Sequence, residues 1–445
     1  MTAEGWTGLV GLAALLVLLA LRIPIALAMA TVGLVGIGAL SGFGIVLYQL
    51  QDLAYAQFSI YDLSVLPLFL LMGQFASRAG LSTDLFRGAN AWLGRFRGGV
   101  AMASIGACAG FGAVCGSSLA TASTMGQVAL PELRRLHYRP SFATGVLAAG
   151  GTLGILIPPS VVLIVYAVIV EANIVTMFAA AFIPGLLAVL LFMLTIAAYV
   201  RLFPGSGPIG EKVPRRERWQ ATWRMLPVVV VFGLVIGGIY FGLYNPTPAA
   251  AVGALLVGLY GVGLRIVTGT GLGYRGIRDA LLDTATTTAM IYLILLGAEI
   301  LKIFFARSGL PILAADAVVA SGLPPIAVLA LILLAFIVLG CLMDSLSMIV
   351  LAIPFFWPVL AGMDFGMSLD DLKVWFGILA LVVVELGLIT PPVGLNVFII
   401  HRLAEDVPVG DIFLGVAPFF LVELLRVALL CFFPGIVLFL PQVLA

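Results

Sequence analysis

The chain has 445 residues, of which 62% are hydrophobic and 10% are charged, and its mean hydropathy is +1.22. Soluble domains are about 45–50% apolar and about a quarter charged, so this chain could not cover itself with polar surface. The composition excludes a soluble enzyme, a disordered chain and a nucleic-acid-binding protein. At about 20 apolar residues per crossing, it predicts an all-α polytopic membrane protein with roughly ten to a dozen crossings.

Apolar segments predict the membrane helices, and we expect the first to be retained because it lacks a basic leader and a cleavage site. The predicted spans are about residues 5–21, 24–41, 58–77, 141–170, 174–203, 225–244, 247–264, 280–306, 374–402 and 411–440. The longest polar stretch, residues 204–224, divides the chain near its middle. The positive-inside rule places it in the cytoplasm, because it carries Lys212, Arg215, Arg216, Arg218 and Arg224.

Two further apolar stretches do not fit simple crossings. Residues 99–131 have basic residues on both flanks and a Gly-Ser-Ser break at 116–118, whereas residues 323–362 break around 343–345 and have acidic flanks. These patterns predict two re-entrant helical hairpins, the first entering from the cytoplasm and the second from the periplasm. With this topology, 18 of the 22 Lys and Arg residues lie on the cytoplasmic side and both termini face outward.

The hairpins belong to an internal repeat. Ser118-Leu119 precedes Pro131 by the same spacing of 13 residues that separates Ser345-Leu346 from Pro358, and GILIPPS at 154–160 matches GLITPPV at 387–393. Two copies that enter from opposite faces form an inverted-topology repeat, the architecture of secondary transporters. The predicted parts are N-terminal scaffold helices (1–84), a first repeat (85–203), a cytoplasmic basic loop (204–224), further scaffold helices (225–306) and a second repeat (307–445).

The double prolines predict two broken helices. Pro158-Pro159 and Pro391-Pro392 each remove two backbone donors, so carbonyls one turn earlier lose their helical partners. Inside a membrane such carbonyls need a neighbouring helix, water or a cation. A single break would be explained by a structural kink, but two matching breaks opposite two hairpin tips favour ion sites.

The tips supply hydroxyls and helix N-termini, and Asn396 adds an amide in the second broken helix. Oxygen ligands without Cys or His clusters favour an alkali cation over a transition metal. Asp344 and Glu385 have no local partner of opposite charge, and an unpaired carboxylate inside a membrane is a functional hypothesis by default. We favour a functional role for Asp344. For Glu385 we leave open packing or hydrogen bonding on one side and proton or ion coupling on the other.

Other charged residues within spans have a simpler explanation. Glu299 and Lys302 are three residues apart on one predicted helix, as are Glu423 and Arg426, so both sets predict local ion pairs.

At these motifs the sequence resembles a known family. GSSLATASTMGQVALPEL at 116–133, ATGVLAAGGTLGILIPPS at 143–160, MDSLSMIVLAIPFFWPVL at 343–360 and FGILALVVVELGLITPPVGLNVFII at 376–400 are similar to the large, DctM-like membrane subunit of tripartite ATP-independent periplasmic (TRAP) transporters. The resemblance covers essentially the whole chain. It implies a permease of the bacterial inner membrane, in which a mobile elevator domain with both hairpins moves against a scaffold.

The resemblance also implies Na+-coupled uptake of an organic acid, a carboxylate such as a dicarboxylate, with no organic cofactor. Partners would be a periplasmic substrate-binding protein and a separate small four-helix membrane subunit (DctQ-like). One Na+ site would use Ser117, Ser118 and carbonyls near Gly154, Ile157 and Pro159. The other would use Gly340, Gly387, Thr390 and Val393. Substrate would lie between the tips, near Ser118, Asp344, Ser345 and Asn396.

The sequence leaves three alternatives. A stand-alone ion-coupled anion carrier of the same hairpin fold, for dicarboxylate or arsenite, is the nearest. The second is an intramembrane enzyme. Such an enzyme needs a nucleophile and its base, which the sequence does not show, so we expect the chain not to be an enzyme. Matched closed hairpins fit alternating access better than the continuous pore of a channel.

Overall fold

A computed structural model describes residues 3–211 and 213–444, so Lys212 lies outside the described residues. Within these ranges every extended regular element is a helix, which confirms the predicted all-α class. The first half consists of α1 (Ala3–Ala20), α2 (Ile25–Ser41), α3 (Phe43–Phe58), a 3-10 turn (Tyr61–Ser64), α4 (Val65–Arg78), α5 (Leu81–Leu93), α6 (Gly99–Cys115), α7 (Ser118–Arg135), α8 (Pro140–Leu156), α9 (Val161–Val170) and α10 (Ile174–Leu202).

The second half begins with a helix that passes through a π-helical turn. Its elements are α11 (Arg215–Phe232), the π turn (Gly233–Gly237), α12 (Gly238–Tyr240), α13 (Pro246–Thr268), α14 (Tyr274–Ser308), α15 (Leu310–Ala320), α16 (Pro325–Gly340), α17 (Ser345–Ala361), α18 (Leu369–Gly387), α19 (Leu395–Leu403), α20 (Val409–Phe432) and α21 (Gly435–Leu444).

The sequence analysis did not predict three helices, and the composition or the length of each explains why. α3 mixes aromatic residues with Gln49, Gln51 and Asp52, and α5 carries Asp84 and Arg87, so neither has the hydropathy of a span. α15 is only 11 residues long. The predicted helix at 58–77 therefore begins later, at the 3-10 turn, and α3 meets the following segment at an angle of 55°.

The predicted loop at 204–224 is wrong over almost its second half. α11 begins at Arg215, so the basic residues after that point lie on the first turns of a helix. Pro214 at the N-cap already has a backbone suited to the start of a helix, and Glu217 lies in the first turn, where the helix dipole favours negative charge.

The length and composition of the described helices allow six of them to cross a membrane, or up to eight if each of two bent pairs is one span. This is fewer than the predicted ten to a dozen crossings. The difference arises because several predicted spans are short or interrupted. α2 has 17 residues, and the predicted helix at 411–440 is divided at Phe433 and Pro434 into α20 and α21.

Two helix pairs form hairpins: α6–α7, the first hairpin, and α16–α17, the second. The broken helix α8–α9 follows the first hairpin and ends where Tyr166 Oη donates to the Lys373 carbonyl at 2.7 Å, at the start of α18. The broken helix α18–α19 follows the second hairpin and is succeeded by Asp406, which pairs with Arg134 at the base of the first. The two hairpins therefore come from opposite ends of the molecule.

The core lies where the two hairpins and the two broken helices cross. α7 packs against α8 and α19, whereas α17 packs against α18 and α9. α8 is buried from Phe142 to Leu156, and α18 is buried over almost its whole length from Leu372. Each hairpin thus contacts parts of both broken helices.

Glycines permit these close crossings. A Cβ atom built on Gly112 would lie 2.6 Å from the Gly154 Cα, and one built on Gly387 would lie 2.6 Å from the Gly340 Cα. The first arm of each hairpin therefore crosses a broken helix at a pair of glycines, just before the break. Gly415 of α20 lies equally close to α8, since its Cβ would be 1.8 Å from the Ser141 carbonyl oxygen.

We expect Gly415→Ala to destabilise the protein, because the added methyl group overlaps the α8 backbone and forces the helices apart. Overpacking of this kind costs about 1–3 kcal/mol, which should lower the melting temperature of the purified protein. Gly410→Ala is the matched control on the same helix, since a Cβ there meets no atom within 4 Å. Equal melting temperatures for the two variants would contradict the observed packing of α20 on α8.

Candidate functional site

The first break separates α8 from α9, which bend by 45° relative to each other. Pro158 and Pro159 have no N–H group, so the carbonyls of Gly154 and Ile155 lose the donors that a continuous helix would supply. Every residue from Gly154 to Ser160 is buried. The break thus places backbone oxygens that lack their helical donors inside the protein.

The second break, between α18 and α19, is more open. Pro391 and Pro392 are exposed, and Thr390 is half-buried. Thr390 Oγ1 donates to the Leu386 carbonyl at 2.5 Å, so its lone pairs remain available as acceptors. The Gly394 N–H donates to the Cys341 carbonyl at 3.4 Å and connects this break to the second hairpin.

The first tip, residues 116–118, lies against the first break. A Cβ on Gly154 would be 2.6 Å from the Ser117 carbonyl oxygen and 2.5 Å from Thr121 Oγ1. Thr121 Oγ1 is buried and has no hydrogen-bond partner. Two oxygen atoms of the first hairpin thus lie next to the segment whose own carbonyls lose their helical donors.

The second tip, residues 341–345, is organised by Asp344. Its carboxylate accepts the Ser347 N–H at 3.2 Å and the Ser347 hydroxyl at 2.5 Å, so Asp344 is the N-cap of α17. As the sequence indicated, Asp344 has no ion-pair partner among the described residues, and the structure adds a neutral local partner, Ser347. The cap explains the residue structurally and still leaves its negative charge at the tip.

Glu385 joins the two tips. The Ser118 hydroxyl donates to Glu385 Oε2, and the Ser345 hydroxyl donates to Oε1 at 2.7 Å. Glu385 is 1% exposed and lies on α18, two residues before Gly387. One buried carboxylate therefore holds a serine from each hairpin.

A cavity of about 230 Å³ lies between the tips. It is bounded on one side by the tips and the α8–α9 break, and on the other by α4 and α14. The lining residues are Leu70, Gly116, Ser117, Ser118, Leu119, Ile155, Val161, Val162, Thr287, Met290, Ile291, Asp344, Ser345 and Leu346. None of these carries a positive charge, and Asp344 carries a negative one. We call this space the tip cavity.

The structure brings most of the predicted substrate residues together. Ser118, Asp344 and Ser345 all line the tip cavity. Asn396 lies elsewhere: it is fully buried, and its Nδ2 donates to the Ala148 carbonyl of α8 at 3.4 Å. Its Oδ1 atom is buried without a partner, so Asn396 offers an oxygen to the interior beside α8.

The predicted cation ligands form two groups. Ser117 lies close to Gly154, and Gly116 approaches Pro159, whose carbonyl oxygen would be 3.0 Å from a Cβ on Gly116. Ser118 and Ile157 belong to the same tip and break.

The second group lies at the second break. Gly340 contacts Gly387, and Thr390 follows within one turn. Val393 is part of the same second break and is half-buried.

Both predicted local ion pairs are confirmed. Arg426 donates to Glu423 at 2.8 Å, and both side chains are buried. Lys302 pairs with Glu299 at 3.5 Å. Neither pair lines the tip cavity. In residues 3–211 and 213–444, no group of three or more His, Cys, Asp or Glu side chains could hold a metal ion.

A larger cavity of about 660 Å³ lies farther along α9, between α3, the α9–α10 turn and α14. It is lined by polar groups that include Asp62, Glu171, Glu299 and Lys302. α9 runs from the tip cavity at Val161 to this cavity at Ala167, so the two spaces lie along one helix.

Glu385 is the site residue that the sequence analysis did not assign. The signal was present, since the residue is an unpaired carboxylate in a predicted span, next to the GLITPPV motif. What the sequence could not show is that Ser118, 267 positions earlier in the chain, lies within hydrogen-bond distance.

Comparison with known proteins gives a consistent result. Residues 12–436 match the family model described as "Tripartite ATP-independent periplasmic transporter, DctM component". The chain is 32% identical over 384 residues to the C4-dicarboxylate TRAP transporter large permease protein DctM of Pseudomonas aeruginosa, covering 86% of each chain. It is 31% identical over 382 residues to the sialic acid TRAP transporter large permease protein SiaM of Vibrio cholerae, again covering 86% of each.

Among solved structures, the fold is similar to that of the YdaH transporter of Alcanivorax borkumensis. The TM-score is 0.61, with 16% sequence identity and coverage of 88% of this chain and 89% of that one. At this identity the likeness concerns the fold alone.

We expect Asp344→Ala to lower the melting temperature, because the first turn of α17 loses its cap. Removing such a cap costs about 0.5–2 kcal/mol. Asp344→Asn keeps an acceptor oxygen for the Ser347 N–H and should retain most of the stability. The measurement is thermal unfolding of both purified variants, and equal losses for Asn and Ala would contradict the capping role.

Proposed function

The chain belongs to the DctM family, the large membrane permease components of tripartite ATP-independent periplasmic transporters, and we propose that it couples uptake of an organic anion to Na+. The observation that carries this proposal is the tip cavity, where Asp344 supplies a negative charge and no lining residue supplies a positive one. An anionic substrate would meet repulsion there unless a cation binds with it. Because the anion then binds only together with a cation, uptake of the anion is coupled to the movement of Na+.

Oxygen atoms at the two breaks and beside α8 suit Na+. The first break supplies buried carbonyls without helical donors, and Thr121 Oγ1 and Asn396 Oδ1 are buried acceptors without partners. At the second break, Thr390 keeps its lone pairs free because its hydrogen goes to Leu386. Oxygen ligands from hydroxyls, carbonyls and amides favour hard cations, and unwound helix segments of transporters coordinate Na+ in this way.

The proposed substrate is an organic acid, a carboxylate that fits the tip cavity. Relatives with 31–32% identity are named for C4-dicarboxylate and for sialic acid, two different anions. The carboxylate would be held by hydroxyls and by the N–H groups at the starts of α7 and α17. Dicarboxylate symport is therefore one form of the proposal.

The alternating movement would be of the elevator type. In the proposed arrangement the hairpins are re-entrant, form an inverted repeat with the broken helices, and move as one body. Two features support this: the hairpins come from opposite ends, and the tip cavity lies between this body and α4 and α14. A space at the boundary of two bodies can open to either side when one slides past the other.

The family is tripartite, which favours a permease subunit over the stand-alone carrier. We propose a small DctQ-like membrane subunit and a periplasmic substrate-binding protein as partners, and the bacterial inner membrane as location. The two relatives from Pseudomonas aeruginosa and Vibrio cholerae are named as permease proteins, consistent with the expectation that the chain is not an enzyme.

We expect the melting temperature of the purified protein to be higher in NaCl than in equal KCl or choline chloride. A ligand that binds only the folded state stabilises it by about 2.7 kcal/mol at 100 times its dissociation constant. Thr390→Ala should reduce this Na+-specific increment because it removes one acceptor oxygen.

Thr390→Ser is the matched control, since it keeps the hydroxyl and should keep the increment. Comparing salts within each variant separates loss of the ion from loss of the Thr390–Leu386 hydrogen bond. A wild-type protein with the same melting temperature in all three salts would count against Na+ coupling.

The substrate position can be tested from the opposite wall of the cavity. Thr287→Trp on α14 should fill the tip cavity and lower uptake at least about tenfold, since the lost volume excludes the substrate. Thr286→Trp is the control, because Thr286 is exposed and does not line the cavity. Uptake of labelled succinate and sialic acid by cells carrying the complete transporter is the measurement, and equal uptake by the two variants would contradict the assignment.

A further inference from the structure

Glu385 has an unusual position for a carboxylate. It is 1% exposed, and its two oxygens accept hydrogen bonds from serines of two different hairpins. Buried charges are stable only when charged or polar groups satisfy them. Here the two tips satisfy the two oxygens of Glu385, so a tip that moves away leaves a buried carboxylate oxygen without its partner.

The hydrogen-bond inventory of the serines limits what they can offer the cavity. A hydroxyl has one hydrogen and two acceptor lone pairs. Both Ser118 and Ser345 use their hydrogen on Glu385, and both line the tip cavity. Towards a ligand, each serine oxygen therefore presents lone pairs and no donor.

We propose that Glu385 is a positioning residue that ties the two tips together and turns both tip serines into acceptors. This inference rests on the proposed function and deepens it. A cation, or a hydroxyl or ammonium group of the substrate, finds two oxygens that can accept from it. A substrate carboxylate finds no donor there and must be bound by N–H groups instead.

The charged neighbours of Glu385 do not take over this role. Glu423 and Arg426 on α20 are the charged side chains whose electrostatic influence reaches Glu385. Arg426 is committed to Glu423 and to the Pro184 carbonyl, which its Nη1 contacts at 3.0 Å. The serines are thus the groups that satisfy the Glu385 oxygens directly.

The first experiment measures the tie between the tips without Na+. Hydrogen exchange of the purified protein in choline chloride should rise about tenfold or more around residues 116–121 and 341–348 in Glu385→Ala, because each lost bond to a charged group opens its tip. Glu299→Gln, a carboxylate that does not touch the tips, is the control. Unchanged exchange at either tip would overturn the tie.

A second variant keeps the test open if Glu385→Ala does not fold. Ser345→Ala leaves Glu385 and the bond to Ser118 in place, so exchange should rise at 341–348 and remain low at 116–121. Increased exchange at neither tip would overturn the proposal.

The second experiment measures the orientation of the serines with Na+ alone as the probe. In Glu385→Gln the amide must donate at one position, which turns one serine hydrogen towards the cavity. Na+ then loses one serine oxygen as an acceptor. If this loss is similar to that of one hydrogen bond to a charged group, the Na+ concentration that gives half of the melting-temperature increment should rise at least about fivefold. An unchanged half-saturating concentration would overturn the orientation.

These outcomes separate the inference from the proposed function. If the wild-type protein shows no Na+-specific stabilisation, Na+ coupling fails, while the exchange measurement still decides whether Glu385 ties the tips. If Na+ stabilises the wild type and Glu385→Gln equally and at the same concentrations, Na+ coupling stands and the positioning role falls.

Discussion

A helix that breaks inside a membrane must find new partners for the backbone groups that the break releases. The architecture of this chain is organised around that requirement. Pro158-Pro159 and Pro391-Pro392 interrupt two central helices, and the hairpin tips lie directly against the interruptions. The tips bring hydroxyls, carbonyls and helix starts to the same places, so the groups that answer this structural demand are also those of the proposed ion sites.

Close contact between tip and break depends on small residues. Gly112 against Gly154 and Gly340 against Gly387 let backbones meet where any side chain would keep them apart. Without a strong hydrophobic drive between helices in lipid, such backbone contact is a main source of packing energy. The two glycine pairs occupy corresponding places in the two repeats, so each half of the chain builds its contact in the same way.

Much of this could be predicted from the sequence, because its signals are local. The double prolines, the interrupted apolar stretches at 99–131 and 323–362, and their matching spacings fix the hairpins and breaks within a few residues. α3 and α5 could not be found by hydropathy, since they are mixed in polarity. Asn396 was expected at the tips but lies beside α8, because a position along a helix does not determine the neighbour across it.

Glu385 shows where local reasoning ends. Its sequence context identifies a carboxylate inside a span, yet its role follows only from contacts with Ser118 and Ser345 on two separate hairpins. The tip cavity is lined by no basic residue, which bears on the proposed transport of an anion. In the proposed function, the negative charge of Asp344 at the second tip repels an anion, and a bound cation removes that repulsion. Ion and substrate would then bind together because neither alone balances the charge of the site.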